Sequence, residues 1–159
     1  PCKCGWFGHP SGRCRCTPAQ VKRYLGKLSG PMLDRIDLFS EVPPLEFENL
    51  ADRSPGEPSA AIRARVTKAR ERQSKRFGPD GPHCNAAMGQ AEIRRFCALD
   101  DEGQALMKGA YEHMGLTARS YDRILRVART IADLDESENI QTHHLAEAIQ
   151  YRETEYFSV

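Results

Sequence analysis

Residues 117–134 read TARSYDRILRVARTIADL and form the most regular segment of this 159-residue sequence. Thr117 is a favourable N-cap, because its side chain can accept a hydrogen bond from the first turn of a helix. The apolar residues that follow recur with the spacing of one helix face: Tyr121, Ile124, Leu125, Ala128, Ile131 and Ala132. The segment therefore predicts an amphipathic helix that packs against a core.

The same spacing predicts further helices on both sides of this segment. Residues 59–77, 90–99 and 101–114 each carry apolar residues at helical intervals, and Gly115 closes the third of them. Thr142 begins a last helix, whose apolar residues are Leu145, Ala148 and Ile149. A mainly α-helical fold class follows, with a helical bundle in the second half of the chain.

The first 44 residues have a different pattern. Residues 1–16 are rich in Gly, Cys and Arg, and a helix is predicted from Thr17 through Leu28, followed by a helical turn at 32–34. Residues 38–42 predict one short strand, which Pro43 and Pro44 end. So small a piece cannot bury a core alone, and we expect it to be the end of a larger α/β domain.

Three regions are therefore expected: residues 1–44, a proline-rich linker at 45–58, and a helical domain at 59–155. The chain begins at Pro1 without Met, so we expect a fragment of a longer protein.

A charged fraction of 28% and the lack of a long apolar run or a signal peptide are expected of a cytoplasmic protein without membrane contact. The first 76 residues are basic and the remainder is acidic, which favours a polyanionic partner for the first half.

Four of the six cysteines form the pattern C-x-C-x9-C-x-C: Cys2, Cys4, Cys14 and Cys16. Two close pairs of thiolates can complete a tetrahedral Zn²⁺ site without an open position, which indicates a structural rather than a catalytic zinc. His9 is a possible substitute ligand, and disulfides or free buried thiols remain the alternatives. Cys84 and Cys97 are expected to be ordinary core or surface residues.

Several arginines are candidate phosphate ligands. Arg35 lies between Asp34 and Asp37, so it either forms a structural ion pair or reaches a phosphate. Arg119 lies in the first turn of its helix, where backbone N–H groups already favour an anion. It shares a face with Arg123 and Arg126, and the alternative is a solvated basic face.

The predicted helix at 59–77 carries seven basic residues and one acid, Glu71. It is either a solvated face or a surface for a polyanion such as DNA. The residues proposed for DNA contact are Arg63, Lys68, Arg72 and Lys75. Known catalytic motifs, including the phosphate-binding loop G-x-x-x-x-G-K-[ST], are absent from the sequence, and the adjacent His143 and His144 make a poor metal pair. We therefore do not expect this chain alone to be an enzyme.

Three segments carry a family resemblance: PCKCGWFGHPSGRCRCTPAQVKRYLGKLSGPMLDRIDL at 1–38, TARSYDRILRVARTIADL at 117–134, and HLAEAIQYR at 144–152. They resemble bacterial magnesium-chelatase-like AAA+ ATPases of the ComM/YifB family. The resemblance implies the end of an AAA+ α/β core with a cysteine-rich loop, followed by a helical lid. It also implies a parent protein that forms a homo-oligomeric, hexameric ring and processes DNA in natural transformation or recombination, by helicase or branch-migration activity.

The resemblance also implies roles for individual residues. Arg35, in LDRIDL, matches the arginine finger that enters the ATP site of a neighbouring subunit, and Arg119, in TARS, matches the sensor-2 arginine. The parent would use ATP and Mg²⁺, but the Walker A lysine and Walker B acids are absent from this sequence. The alternative is a zinc-stabilised DNA-binding or assembly module that does not depend on nucleotide.

Overall fold

The regular structure of the chain is entirely helical in the part that the computed structural model describes, residues 2–42 and 54–152. The chain divides into two compact units, whose described residues are these same two ranges. The helices are α1 (Pro18–Leu25), α2 (Gly30–Leu33), α3 (Ser59–Phe77), α4 (Gln90–Phe96), α5 (Asp101–Met114), α6 (Ala118–Leu134) and α7 (Thr142–Gln150), with a 3-10 turn at Asn85–Ala87. The mainly α-helical class is thus confirmed.

The first unit is built around α1. Its N-terminus is a capping box, in which the Thr17 hydroxyl accepts from the Gln20 N–H and the Gln20 side chain accepts from the Thr17 N–H. The helix ends at Leu25, before the predicted Leu28, because the amides of Lys27 and Leu28 bond three residues back and tighten the chain into a turn. A small core of Cys2, Val21 and Leu25 lies beneath it.

The strand predicted at residues 38–42 is wrong for this chain, because none of these residues adopts strand structure. Leu38 and Val42 are 53% and 86% exposed. Strand backbone must pair with a second strand, and the described residues contain no other strand to accept it. The predicted linker at 45–58 lies for the most part outside the described residues, as does the end of the predicted helical domain at 153–155.

The second unit is organised around α6, as its apolar pattern predicts. This helix packs against α3, α4, α7 and the 3-10 turn, and α5 packs on α7. Ile124, Leu125, Ala128 and Ala132 are all buried, whereas Tyr121 lies at the edge of the core with 36% exposure. The core continues into the surrounding helices with Met88, Ile93, Cys97, Met107, Ile140, Leu145 and Ala148.

A buried charge cluster, which the sequence did not predict, lies beside this core. The Asp133 carboxylate is fully buried and accepts both Nη atoms of Arg76, an Arg129 Nη2 at 3.2 Å and the Asn85 Nδ2 at 2.8 Å. Arg129 in turn donates to the backbone carbonyls of Ser137 and Glu138, each at 2.7 Å. Three elements and the turn after α6 are thereby joined through one carboxylate.

The charge cluster explains why α3 contacts the core only through its C-terminal half. Ala69 and Gln73 are buried, and Arg76 is largely buried against Asp133. Ile62 and Val66 lie at helical spacing before Ala69 but are 43% and 47% exposed. The inward face of this helix is therefore mostly polar. None of the described helices combines the length and apolarity that a bilayer crossing requires.

Candidate metal centre and phosphate-binding arginines

The four N-terminal cysteines come together in the first unit. Their Sγ atoms all lie within 4.8 Å of one another. The Sγ of Cys14 is 3.7 Å from those of Cys2 and Cys4, and the Cys2–Cys4 separation is 3.2 Å. Zn–S bonds of about 2.3 Å in a tetrahedron require S–S separations of roughly 3.8 Å. The arrangement therefore fits a four-thiolate zinc site, and none of these cysteines forms a disulfide.

Turns rather than regular structure bring the cysteines together. Gly5, Gly8 and Gly12 all have positive φ angles, between 62° and 81°, which residues with a side chain rarely adopt. Cys16 directly precedes the Thr17 cap, so the start of α1 fixes the second thiol pair. His9, the possible substitute ligand, is not part of the cluster, because its Nδ1 accepts from the Ser11 N–H at 3.0 Å.

The thiols of the cluster titrate as a group. Burial would raise the pKa of Cys2, but hydrogen bonds with the Cys4 and Cys14 thiols and with backbone N–H groups lower it to about 6. A backbone hydrogen bond from Cys16 would lower the pKa of Cys14, but burial and the bonds with Cys2 and Cys4 raise it to about 11. Hydrogen bonds from the neighbouring thiols thus stabilise the thiolate form of Cys2. A divalent cation bound by the sulfurs would replace these protons in stabilising the thiolate charge.

Arg35 lies in the first unit, just after the short helix α2. Its backbone N–H donates to the Met32 carbonyl, and its Nη1 donates to the Pro31 carbonyl at 3.2 Å. The side chain is exposed. The guanidinium is therefore held near the end of α2 and still presents a surface to solvent.

Arg119 lies in the first turn of α6, in the second unit. The Thr117 hydroxyl caps this helix by accepting the Ser120 N–H at 3.2 Å. Arg119 is exposed, and its guanidinium forms no hydrogen bond or ion pair with the described residues. A cation is disfavoured at the positive end of a helix dipole, so an anion bound there would stabilise both the arginine and the helix end.

Two other arginines of α6 have structural roles. Arg126 Nη2 donates to the Met88 carbonyl at 2.7 Å, and Arg129 is 2% exposed in the Asp133 cluster. Arg126 is therefore not simply part of a solvated basic face. Arg119 and Arg129 are ten residues apart, which separates them by about 15 Å along the helix axis.

The four candidates for DNA contact do not form one group. Arg72 and Lys75 line a pocket of about 810 Å³ together with Arg76, Arg95 and Arg129. Lys68 forms an exposed ion pair with Glu136 at 2.9 Å. Arg63 is exposed near the start of α3 and does not line this pocket. Arg95, at the end of α4, was missed, because only the fold brings it beside α3.

A second cluster of possible ligands, Asp135, His143 and His144, is unsuited to a metal. The His144 Nδ1 accepts the Gln141 N–H at 2.9 Å, so the proton of a neutral ring lies on Nε2, which donates to Asp135 at 3.1 Å. Neither ring nitrogen then has a free lone pair for a cation. Hydrogen bonds from the two histidines lower the pKa of Asp135. The His144 side chain itself belongs to the capping box at the start of α7. His143 and His144, which were expected to make a poor metal pair because they are adjacent, nevertheless lie side by side, with ring centroids 4.0 Å apart.

Comparison with known proteins connects both units to one family. Residues 56–152 match the family model for the C-terminal region of magnesium chelatase subunit ChlI, and residues 1–50 match the model for magnesium chelatase subunit ChlI. The chain is 47% identical over 148 residues to the uncharacterized protein YifB of Escherichia coli, and 46% identical over 149 residues to the competence protein ComM of Haemophilus influenzae. Each comparison covers 91% of this chain and 28% of the relative. The chain therefore belongs to the magnesium chelatase family, and within it to the ComM/YifB group.

Proposed function

We propose that this chain is the C-terminal part of a ring-forming, ATP-driven AAA+ motor that processes DNA. The chain spans 28% of the length of the curated relatives it matches, which leaves ample room for a nucleotide-binding domain in the whole protein. One of those relatives is named a competence protein, which supports a role in DNA uptake or recombination. The hexameric ring, ATP, Mg²⁺ and DNA are all parts of this proposal.

The observation that carries the proposal is the position of Arg119. An exposed guanidinium in the first turn of a capped, 17-residue helix suits a phosphate. We assign it to the ATP bound by its own subunit, as the sensor-2 arginine. Because the planar guanidinium is always charged, it can contact two phosphate oxygens at once.

Arg35 is assigned to the ATP site of the neighbouring subunit. Its bond to the Pro31 carbonyl restrains the stem of the side chain, and its exposure suits a group that reaches across an interface. An arginine finger stabilises the negative charge that spreads over the transferred phosphoryl group in the transition state. It therefore affects the rate of hydrolysis much more than nucleotide binding.

The four cysteines would hold a structural Zn²⁺. The S–S separations of 3.2 to 3.7 Å among Cys2, Cys4 and Cys14, the position of all four Sγ atoms within 4.8 Å of one another, and the absence of disulfides among them support this role. Four thiolates leave no coordination position for water or substrate, so the ion would supply folding stability rather than Lewis-acid chemistry.

The DNA contact is proposed for the part of α3 that faces the pocket. Arg72 and Lys75 on α3 and Arg95 on α4 line a concave surface, whereas Lys68 is already paired with Glu136. Binding there should weaken as the salt concentration rises, because phosphate contacts release counterions.

The proposal is tested in the full-length protein by replacing Arg35. We expect Arg35→Ala to lower ATP turnover about a thousandfold or more while nucleotide affinity stays within about twofold. Arg70→Ala, an exposed arginine on α3 without an assigned role, is the matched control and should behave as the unmodified protein.

A mixing experiment tests the role between subunits. Arg35→Ala protein is mixed with a variant that lacks the Walker A lysine, so that some interfaces combine one intact lysine with one intact arginine. Turnover should then partly recover. Normal turnover of Arg35→Ala, or no recovery on mixing, would contradict the assignment. Steeply salt-dependent DNA binding without any effect of DNA on turnover would favour the nucleotide-independent module instead.

A further inference from the structure

We propose that the first unit binds single-stranded nucleic acid through two groups of residues, Trp6 with Arg13, and Tyr24 with Lys3, Arg23 and Lys27, together called the N-terminal surface below. Bases would stack on the two aromatic rings, and the cations would hold the phosphates. The inference deepens the DNA part of the proposed function by naming a contact surface. It depends on that function only for its biological role, because binding to this surface requires no ATP.

The charge distribution of the first unit supports a polyanionic ligand. Residues 2–33 contain no Asp or Glu. Their basic residues are Lys3, Arg13, Arg15, Lys22, Arg23 and Lys27. A zinc ion with four thiolates would carry two negative charges, which six cations exceed. The surface therefore attracts anions whether or not metal is bound.

Trp6 provides the first stacking position. Its side chain is 37% exposed, and the neighbouring Phe7 is 39% exposed. The Arg13 guanidinium lies 5.0 Å from the Trp6 ring centroid, and His9 contacts the ring edge-to-face at 4.9 Å. The small core beneath α1 therefore does not take up these two aromatic side chains, and the Arg13 cation lies over one face of the indole ring.

Tyr24 provides the second position, on α1. It is 39% exposed and lies in a cleft of about 310 Å³, whose other lining residues are Lys3, Gln20, Arg23 and Lys27. Lys27 Nζ is 5.5 Å from the centroid of the Tyr24 ring. Three cations around one exposed ring match a nucleotide, which presents a flat base and a charged phosphate together.

The combination of rings and cations distinguishes single strands from other polyanions. In a duplex the base faces are stacked on one another, so the aromatic rings would gain nothing from it. An acidic peptide would satisfy the cations but would leave the rings unused. Aromatic stacking together with backbone neutralisation is the usual mode of single-strand binding.

The test uses the tryptophan itself as the probe. Trp6 is the only tryptophan of the chain, so quenching of its fluorescence reports stacking directly. The 159-residue chain is titrated with fluorescein-labelled dT20 and with rU20, and both anisotropy and Trp6 fluorescence are recorded. We expect saturable quenching with the same midpoint as the anisotropy, weaker binding at higher salt, and weaker binding of a 20-base-pair duplex.

Substitutions then identify the surface. Trp6→Ala and Tyr24→Ala should each weaken dT20 binding at least about fivefold, and Trp6→Phe should recover most of the loss. Tyr111→Ala is the matched control, because Tyr111 is 44% exposed on α5 in the other unit. Binding of either dT20 or rU20 with these properties supports the proposal and shows which sugar is preferred.

The proposal is overturned if saturating dT20 leaves the Trp6 fluorescence unchanged, or if the duplex binds more tightly. It is also overturned if Trp6→Ala alters the sedimentation of the chain but not its affinity for dT20, since the surface would then contact a second copy. These outcomes are independent of the Arg35→Ala result. If either the N-terminal surface or the role of Arg35 in ATP turnover is refuted, the other can still be tested.

Discussion

Removal of the Asp133 carboxylate should cost more stability than any other single substitution in the second unit. Asp133 is fully buried, and its partners Arg76 and Arg129 are only 14% and 2% exposed. In Asp133→Ala both guanidinium groups lose their counterion while they remain largely buried. Loss of one partner of a buried ion pair costs about 3–5 kcal/mol of unfolding free energy.

The magnitude can be measured by urea unfolding followed by circular dichroism at 222 nm. A loss of about 3 kcal/mol from a unit of this size should lower the melting temperature by at least about 12 °C. Glu71→Ala, an exposed acid on α3, is the control and should change the free energy of unfolding by less than about 0.5 kcal/mol. A loss below about 1 kcal/mol for Asp133→Ala would refute the reasoning.

The pH dependence gives an independent check on the same group. Burial would raise the pKa of Asp133, but the hydrogen bonds from Arg76 and Asn85 and the charge of Arg129 hold it below its ordinary value. Since the pKa is lower in the folded state, this stabilisation is present above the unfolded value of about 3.9 and is lost as pH falls through the folded value. The difference in unfolding free energy between the unmodified chain and Asp133→Ala should therefore shrink below about pH 4.

Three further predictions concern the metal centre and the helix ends. Protein purified without added zinc should contain about one equivalent of zinc per chain by metal analysis. Cys2→Ser should lose the zinc, whereas the control Cys84→Ser should keep it. A folded chain without metal would contradict the proposed site. Gly115 has a φ of 58°, so Gly115→Ala should cost about 1 kcal/mol in urea unfolding, and an unchanged midpoint would show that the left-handed residue is not required. Arg126→Ala removes the charged bond to the Met88 carbonyl and should cost about 1.5–3 kcal/mol, whereas a neutral result would mean that water replaces the guanidinium.

Local signals predicted the helices of the second unit well. The bounds of α3 and α5 agree with the predicted ranges, because Pro58, Gly78, Asp100 and Gly115 limit them from both sides. The apolar stripe of α6 was also correct. These features depend on residues that are close in sequence, and the sequence alone contains them.

The errors have a common physical cause. The residues next to Asp133 in the sequence do not indicate that it is buried, because its partners Arg76 and Asn85 are 57 and 48 residues away along the chain. Ile62 and Val66 follow the helical period but lie before the part of α3 that reaches the core. The strand predicted at 38–42 is wrong because a strand requires a partner strand, which residues 2–42 and 54–152 do not contain.

The candidate sites divide in the same way. The spacing of the four cysteines was sufficient to predict their cluster, since turns over 16 residues bring them together. The pocket lined by Arg72, Lys75 and Arg95 could not be predicted from the sequence. Arg95 belongs to α4, and only the tertiary packing brings it beside the two residues of α3. The many basic residues of α3 indicated a possible DNA contact from the sequence alone. Trp6 and Tyr24 became candidates only because the structure shows that both rings are exposed near cations.

The anchoring of α3 by charge at one end gives the helix a gradient of local stability. Its last two turns are tied to Asp133 and can open only when the cluster breaks, whereas its first turns contact little and can fray separately. A cation on the fixed half, such as Arg72 or Lys75, has a backbone that is already immobile and loses less entropy on binding than Arg63 does. The helix thus holds its cations with two levels of local stability, which is higher at Arg72 and Lys75 and lower at Arg63.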